Sequence, residues 1–273
     1  MDISEEDFVT HVMKHLFRAR GIDLSGYSQS FVMRSIKKRL GRSGATDYTG
    51  YLHLLTHNEQ ETNDLLGALS INVTEFFRDK GAFEGFTSEV LRPLLASKIR
   101  EGGVLRIWSA GCATGQETYT IAICVAEEIK RLQCISAPVV GIQGTDISSK
   151  AVAKAKSGLY TQAETKGLTE KHLNHYFEKK GADYEVVQPL RKGVRFSVEN
   201  LLEPPSGSYY DAIVCRNVMI YFTRKMHDVV TMHLFKALRG GGYLMLGRTE
   251  TLMGAPRASF DVIDLENRIL RKK

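Results

Sequence analysis

Over residues 1–70 the apolar positions recur every three or four residues. Phe8, Val12, Leu16 and Phe17 form one stripe, and Phe31, Ile36 and Leu40 a second. Tyr51, Leu54 and Leu55 form a third, followed by Leu65, Leu66 and Leu69. This is the period of amphipathic helices, and Gly21, Gly26, Gly41 and Gly44 punctuate it. The pattern predicts a small N-terminal helical domain over 1–70, ahead of a second domain over 71–273. One more helix is expected at 82–100, broken or kinked at Pro93, which lacks the N–H that a helix ladder needs.

Beyond residue 100 the pattern changes to short apolar runs alternating with helical ones. Strands are predicted at 104–108, 139–146, 209–215 and 243–247, with helices from Gln116, over 148–157 and over about 223–238. Gly240, Gly241 and Gly242 read as the glycine end of that last helix. A final hairpin is predicted from 260–265 and 268–270 around Glu266 and Asn267. Strands alternating with helices give an α/β fold, a doubly wound, mostly parallel sheet with an antiparallel edge hairpin. Residues 158–196 are less regular. They predict a short helix near His172 and Leu173, then short strands at 183–187 and 193–196 around Pro189, as an insertion into the main sheet.

Composition narrows the class. Hydrophobic residues make up 43% and charged residues 25%, as in globular proteins. No apolar run approaches the length of a membrane span, and the acidic start at Asp2, Glu5, Glu6 and Asp7 is unlike a signal peptide. Cys112, Cys124, Cys134 and Cys215 show neither C-x-x-C pairing nor histidine companions, so they read as reduced thiols of a cytoplasmic protein with no metal site. The 37 Lys plus Arg against 31 Asp plus Glu give +6, a bias toward an acidic partner. Arg34, Lys37, Lys38, Arg39 and Arg42 cluster without an intervening acid, with 34, 38 and 42 on one helix face. Such a run is either a solvated face or an electrostatic docking surface. It lacks the interleaved aromatics of a nucleic-acid surface, and no base-flipping motif follows the fourth strand.

The candidate chemistry centres on the loop after the first strand. Ser109, Ala110, Gly111 and Gly115 carry almost no bulk, so a backbone there can approach a ligand closely. The spacing Gly111-x-x-x-Gly115 is neither the dinucleotide fingerprint nor a phosphate loop. Glu117 in the first helical turn would repel a pyrophosphate and suits a ligand with an amino group or hydroxyls, such as S-adenosylmethionine. A tight turn in an ordinary α/β fold would use the same glycines. Asp146, ending the second strand, stands where ribose hydroxyls are held, and it also fits the N-cap of the next helix. Asn200 lies at another strand tip, and Arg216 and Asn217 end the strand at 209–215. In the run from Ser70 to Asp79, Asn72 and Thr74 are good caps and Phe76 and Phe77 good core residues, which leaves Arg78 unassigned.

Six segments in order then match one family. They are Ser70-Ile71-Asn72-Val73-Thr74-Glu75-Phe76-Phe77-Arg78-Asp79, the run 108–117, Gly144-Thr145-Asp146-Ile147-Ser148, the run 196–202, Cys215-Arg216-Asn217-Val218-Met219-Ile220-Tyr221-Phe222, and the run 241–250. Together, and over essentially the whole chain, they resemble the chemotaxis receptor methyltransferases of CheR type. The resemblance implies a Rossmann-like class I methyltransferase domain that moves a methyl group from S-adenosylmethionine to receptor glutamates, forming methyl esters in sensory adaptation. It implies that Asn72, Thr74, Arg78, Glu117, Asp146, Asn200, Leu201, Arg216 and Asn217 line the cofactor site. Arg78 and Tyr221 would stand nearest the methyl group and the incoming glutamate, as the catalytic pair.

The basic residues 34–42 would then dock the acidic methylation helices of transmembrane chemoreceptors, with no membrane insertion and no nucleic-acid partner. A cytoplasmic monomer recruited to receptor arrays is the implied setting. The insertion, placed at about 178–193, corresponds to a small β-subdomain that in some members grips a receptor's C-terminal peptide. Those members carry extra, glycine-containing residues between its strands, and the short run Lys180-Gly181-Ala182-Asp183 implies independence of that tether. Gln116 and Thr118 replace residues of the family's Glu-Glu-Pro-Tyr pattern, and Thr249 stands for its usual serine.

Overall fold

The structure, a computed structural model, describes residues 3–20, 24, 27, 29–69, 74–133, 137–252 and 254–273. Two compact units emerge: residues 1–72 with 221–227, and residues 73–220 with 228–273.

The first unit is helical: α1 (Glu5–Arg20), α2 (Gln29–Ser43), α3 (Tyr48–His57) and α4 (Glu59–Leu69). The apolar stripes read from the sequence meet in one core of Phe8, Val12, Leu16, Phe31, Ile36, Tyr51, Leu55, Leu65 and Leu69. Phe17 departs from its stripe and is 57% exposed, because Leu16 already takes the inward position one residue earlier. Asp47 starts α3 by accepting the Gly50 N–H at 2.7 Å. Tyr27 of this unit forms an antiparallel bridge and an edge-on ring contact with Phe222.

The second unit opens with α5 (Lys80–Gly85), a π turn at Phe86–Leu91 and α6 (Arg92–Glu101). The interruption expected at Pro93 takes the form of that π turn. The Arg92 N–H reaches back five residues to the Thr87 carbonyl, so the ladder is re-registered just before the residue that has no N–H to give. There follow β1 (Val104–Ala110), α7 (Gln116–Leu132), β2 (Val139–Asp146) and α8 (Ser149–Ser157). A small excursion holds β3 (Leu159–Thr161), α9 (Glu170–Tyr176), β4 (Phe177–Lys180), β5 (Asp183–Val186) and α10 (Gln188–Arg191). The chain returns through β6 (Val194–Val198), β7 (Tyr210–Cys215), α11 (Arg224–Ala237), β8 (Leu238–Leu246), β9 (Phe260–Asp264) and β10 (Ile269–Lys272).

The main sheet has seven strands in the order β6-β2-β1-β7-β8-β10-β9. It is parallel from β6 through β8 and antiparallel at β10 and β9, as the sequence predicts. The order reverses between β1 and β7, and in such sheets ligands bind outside the carboxyl ends at that switch point. The all-buried β7 forms the centre, and Ile107, Ile121, Ile142, Ala212, Val214 and Met245 belong to the core around it.

Two sequence expectations change. The strand read at 193–196 as part of the insertion is β6, which pairs in parallel with β2 from Ile142↔Val194 to Asp146↔Val198 and so edges the main sheet. The insertion's own sheet is β3-β5-β4, and Pro189 lies in the first turn of α10, where a missing N–H costs nothing. Similarly, the glycines at 240–242 do not end a helix. α11 stops at Ala237 and β8 begins at once, with Leu238 opposite Tyr210 and Tyr243 opposite Ala212. The glycines absorb that bulge, Gly241 with φ 72°.

Candidate active site

The loop from Gly111 to Gly115 connects β1 to α7 at the switch point. Gly111 N and Cys112 N donate to the Thr145 carbonyl at 2.8 and 2.9 Å, and Gly115 N donates to the Cys112 carbonyl at 3.0 Å. Both glycines have positive φ, 79° and 94°. Their missing side chains make room for protein: a Cβ on Gly111 would stand 2.4 Å from Val218, and one on Gly115 would stand 2.8 Å from Ala155. The bareness of this loop therefore serves tight packing of the loop onto its neighbours. The thiols of Cys112, Cys124 and Cys215 are free and buried, and Cys134 lies outside the described residues.

Glu117 is a strongly perturbed acid of the site. Burial raises its carboxyl from 4.5 to about 7, against the opposing pull of Arg216, the Ser109 hydroxyl and, more weakly, Arg78. Ser109 Oγ donates to Glu117 Oε1 at 3.0 Å, and Arg216 Nη1 is 3.8 Å from its other oxygen. Arg216, its side chain 1% exposed, also donates to the Arg78 carbonyl at 3.1 Å and to Asp79 Oδ2 at 2.5 Å, and its guanidinium lies over the Phe83 ring. Its buried Nε has no hydrogen-bond partner among the described residues.

The segment that carries Arg78 is held at nearly every position. Phe76 is buried edge-on to Tyr160 and Phe177, and Phe77 N donates to Thr120 Oγ1 at 3.1 Å. The Phe77 ring stacks on His172 of α9 with centroids 4.7 Å apart. Phe77 and Asp79 flank Arg78 with φ of 53° and 59°. Left-handed backbone at a phenylalanine is strained and persists only where its surroundings over-determine it.

Asp146 sits beside the loop. Its Oδ2 accepts the Ala113 N–H and its Oδ1 the Ser148 N–H, both at 2.9 Å, while burial raises its pKa. Ser148, rather than Asp146, caps α8, accepting the Ala151 N–H. Each Asp146 oxygen thus keeps a lone pair for another donor. Asn200 Oδ1 accepts the Leu202 N–H at 3.1 Å in a turn after β6, and the Leu201 carbonyl lies 3.0 Å from His233 Nδ1. Thr74 is half-buried ahead of Phe76.

The polar centre therefore joins the Arg78 carbonyl, hydrogen-bonded to Arg216, with Glu117, ion-paired to Arg216, and Asp146 is tied to the same loop through Ala113. Asn72 lies outside the described residues. Tyr221 ends a short turn, Met219–Tyr221, its side chain lies outside the described atoms, and it groups with the helical unit. Two acids at this edge lie in the segments 70–79 and 241–250 that match the family, yet the sequence assigns them no role. Asp79 is the partner of Arg216, and Glu250 accepts four backbone N–H groups after β7 and β8. The available signal for Glu250 was an acid three residues after Gly247, the glycine that follows β8.

A buried acid near neutrality, a buried guanidinium with an unpartnered nitrogen and a carboxylate with spare lone pairs suit a ligand that combines an ammonium, a carboxylate and adjacent hydroxyls. S-adenosylmethionine combines all three, and the residues fit it. Within the helical unit, the basic residues of α2 divide. Arg39 is turned onto Glu61 (Nε to Oε1, 3.0 Å) and Asp64 (3.3 Å), its side chain 17% exposed, so it belongs to the fold and not to an open docking face. Lys37 pairs with Glu5 but stays half-exposed, and Arg34, Lys38 and Arg42 are exposed.

Comparison with known proteins agrees with this geometry. Residues 10–70 match the CheR methyltransferase all-alpha domain, and residues 72–269 match the CheR methyltransferase SAM binding domain. The chain is 32% identical to a chemotaxis protein methyltransferase of Borreliella burgdorferi, over 91% of this chain and 89% of that protein. It is 32% identical to a chemotaxis protein methyltransferase of Salmonella typhimurium, over 89% and 83%. It is 33% identical to an uncharacterized 104.1 kDa protein of Rhodobacter capsulatus, over 91% of this chain but only 26% of that much longer protein. This chain belongs to the CheR methyltransferase family, whose cofactor is S-adenosylmethionine.

Proposed function

We propose that this chain esterifies glutamate side chains in the cytoplasmic methylation region of transmembrane chemoreceptors. The observation that carries the reading is the cluster of Arg78, Glu117 and Arg216 at the switch point, in a chain of this family. The bound cofactor supplies an electrophilic methyl group on a sulfonium. A glutamate carboxylate, with an unperturbed pKa of about 4.3, is already a nucleophile at neutral pH, so the protein needs no general base. Its work is alignment and exclusion of water. Glu117 holds the cofactor's amino group, and Asp146 its ribose hydroxyls. Thr74, Asn200, Leu201, Arg216, Asn217 and Asn72 complete the lining. Arg78 steers the incoming carboxylate, and Tyr221 donates a hydrogen bond near the methyl group.

Arg34, Lys38 and Arg42, with Lys37 beside them, form the docking face for acidic receptor helices, while Arg39 holds its own unit together. The β4–β5 hairpin closes through Gly181 and Ala182 alone, with Lys180 paired to Asp183, which supports recognition independent of a receptor C-terminal peptide. In this reading the chain works as a monomer beside the receptors in the cytoplasm; among the described residues no helix is long and apolar enough to cross a membrane.

The test is transfer of labelled methyl from S-adenosylmethionine to a purified cytoplasmic receptor fragment, followed by alkali. Release of the label as methanol is the expected result, since methyl esters hydrolyse. Alkali-stable label would mean methylation of nitrogen and would overturn the glutamate assignment. Absence of transfer to several receptors by protein that binds cofactor would overturn the enzymatic reading.

A further inference from the structure

At the carboxyl edge of β7 and β8 a set of backbone N–H groups converges on one buried carboxylate. Asn217 takes a left-handed φ of 59°, and a 3-10 turn starts two residues later. A left-handed residue followed by a helical turn aims successive N–H groups into a concavity that binds anions. Here the anion is internal. Glu250 Oε2 accepts from Gly247 N at 2.7 Å and Asn217 N at 2.8 Å. Its Oε1 accepts from Val218 N at 2.9 Å and Met219 N at 2.8 Å. Glu250 is 2% exposed.

Gly247 admits the carboxylate. A Cβ there would stand 2.6 Å from Glu250 Oε2 and 2.9 Å from Asn217 N. The two residues thus work as a pair: the glycine opens the space and the acid fills it. Arg216, one residue before the concavity, carries the contacts to Glu117, Asp79 and the Arg78 carbonyl.

We propose that Glu250 is a positioning residue of the cofactor site. By occupying the concavity it fixes Asn217 in its left-handed conformation, and so sets the direction in which Arg216 and Asn217 face the cofactor. The inference rests on the assignment of those two residues to the cofactor site. An amide cannot replace the carboxylate, because its NH2 group would confront two N–H donors that then lack an acceptor. Alanine at 247 should displace the carboxylate without removing its charge.

The experiment measures S-adenosylhomocysteine binding by calorimetry, together with amide hydrogen exchange, for wild type, E250Q, E250D and G247A. Faster exchange at 217–219 and 247, with binding weakened roughly tenfold or more in folded E250Q and G247A, is expected. E250D, keeping the charge on a shorter arm, should fall between them and wild type. A folded E250Q or G247A that binds within twofold of wild type while those amides exchange faster would overturn the proposal. So would failure of all three variants to fold, which would make the role global. Wild type that does not bind S-adenosylhomocysteine would instead defeat the cofactor assignment itself.

Discussion

Glu117 offers the most quantitative check on the cofactor site. Its carboxyl rises from 4.5 to about 7 on folding, chiefly through burial. That is a gain of roughly two orders of magnitude in proton affinity, or about 3 kcal/mol. The folded value lies above the unfolded one, so the linkage runs against the ionised form. Below pH 4.5 the group costs the fold nothing. The penalty grows through pH 4.5–7 and reaches its full value above about pH 7. A cationic ligand bound at Glu117 reverses the balance, because the ammonium favours ionisation. Ligand affinity should therefore track the ionised fraction, which falls from about one half at pH 7.0 to about 3% at pH 5.5.

The expected result is that S-adenosylhomocysteine binding weakens roughly 15-fold between those pH values, as calorimetry would measure. The ligand's own amino group is that of a free amino acid, more basic than a chain terminus because of the adjacent carboxylate, and stays charged throughout this range. S-adenosylhomocysteine lacks the sulfonium, so the same slope in both ligands places the amino group at Glu117. A slope confined to S-adenosylmethionine would place the sulfonium there. E117Q should abolish the slope and most of the affinity. It should also raise the unfolding temperature of the methyltransferase unit at pH 8, since about 3 kcal/mol corresponds to roughly 6–12 °C at this size. Affinity independent of pH, or an E117Q protein that binds as wild type does, would refute the reasoning.

Two further outcomes follow from the same contacts. Removing Arg39 leaves the Glu61 carboxylate buried beside Tyr51, so R39A should destabilise the helical unit by about 3 kcal/mol in denaturant titrations. R34A, K38A and R42A should each stay within about 0.5 kcal/mol of wild type, yet weaken binding to a receptor fragment in a salt-dependent way. Equal stability losses at all four positions would contradict the division of α2 into a structural and a docking part. D146A should weaken S-adenosylhomocysteine binding roughly 10–100-fold through loss of a charged acceptor, with the secondary structure retained by circular dichroism. Binding within twofold of wild type would remove Asp146 from the ribose.

The parts of the fold that were legible in the sequence are those set by short-range periodicity. Phe8, Val12 and Leu16 announce a helix because their spacing alone decides which face is buried, and Tyr210–Cys215 announces a central strand because it is apolar throughout. Misreadings arose where a partner distant in sequence decided the outcome. Val194–Val198 looks like one more short strand beside Pro189, and only its pairing with β2 makes it the edge of the main sheet. Gly240 to Gly242 carry the composition of a helix end, and only the unequal register against β7 makes them a bulge.

The site divides along the same physical line. Glu117 and Asp146 were readable because one lies in the first turn of the helix after β1 and the other ends β2, so topology places both at the switch point without reference to any other segment. Arg39 was not separable from its basic neighbours, since the decision lies with Glu61 and Asp64 on another helix. The role of Glu250 was hidden most completely. Three of its four contacts are backbone N–H groups more than thirty residues away, and backbone donors leave no mark on the identity of the residues that carry them. Only Gly247 leaves one, a position where a Cβ has no room. A carboxylate spent on an internal concavity is as much a part of this active site as one aimed at a ligand, because it determines which backbone conformation Arg216 and Asn217 start from.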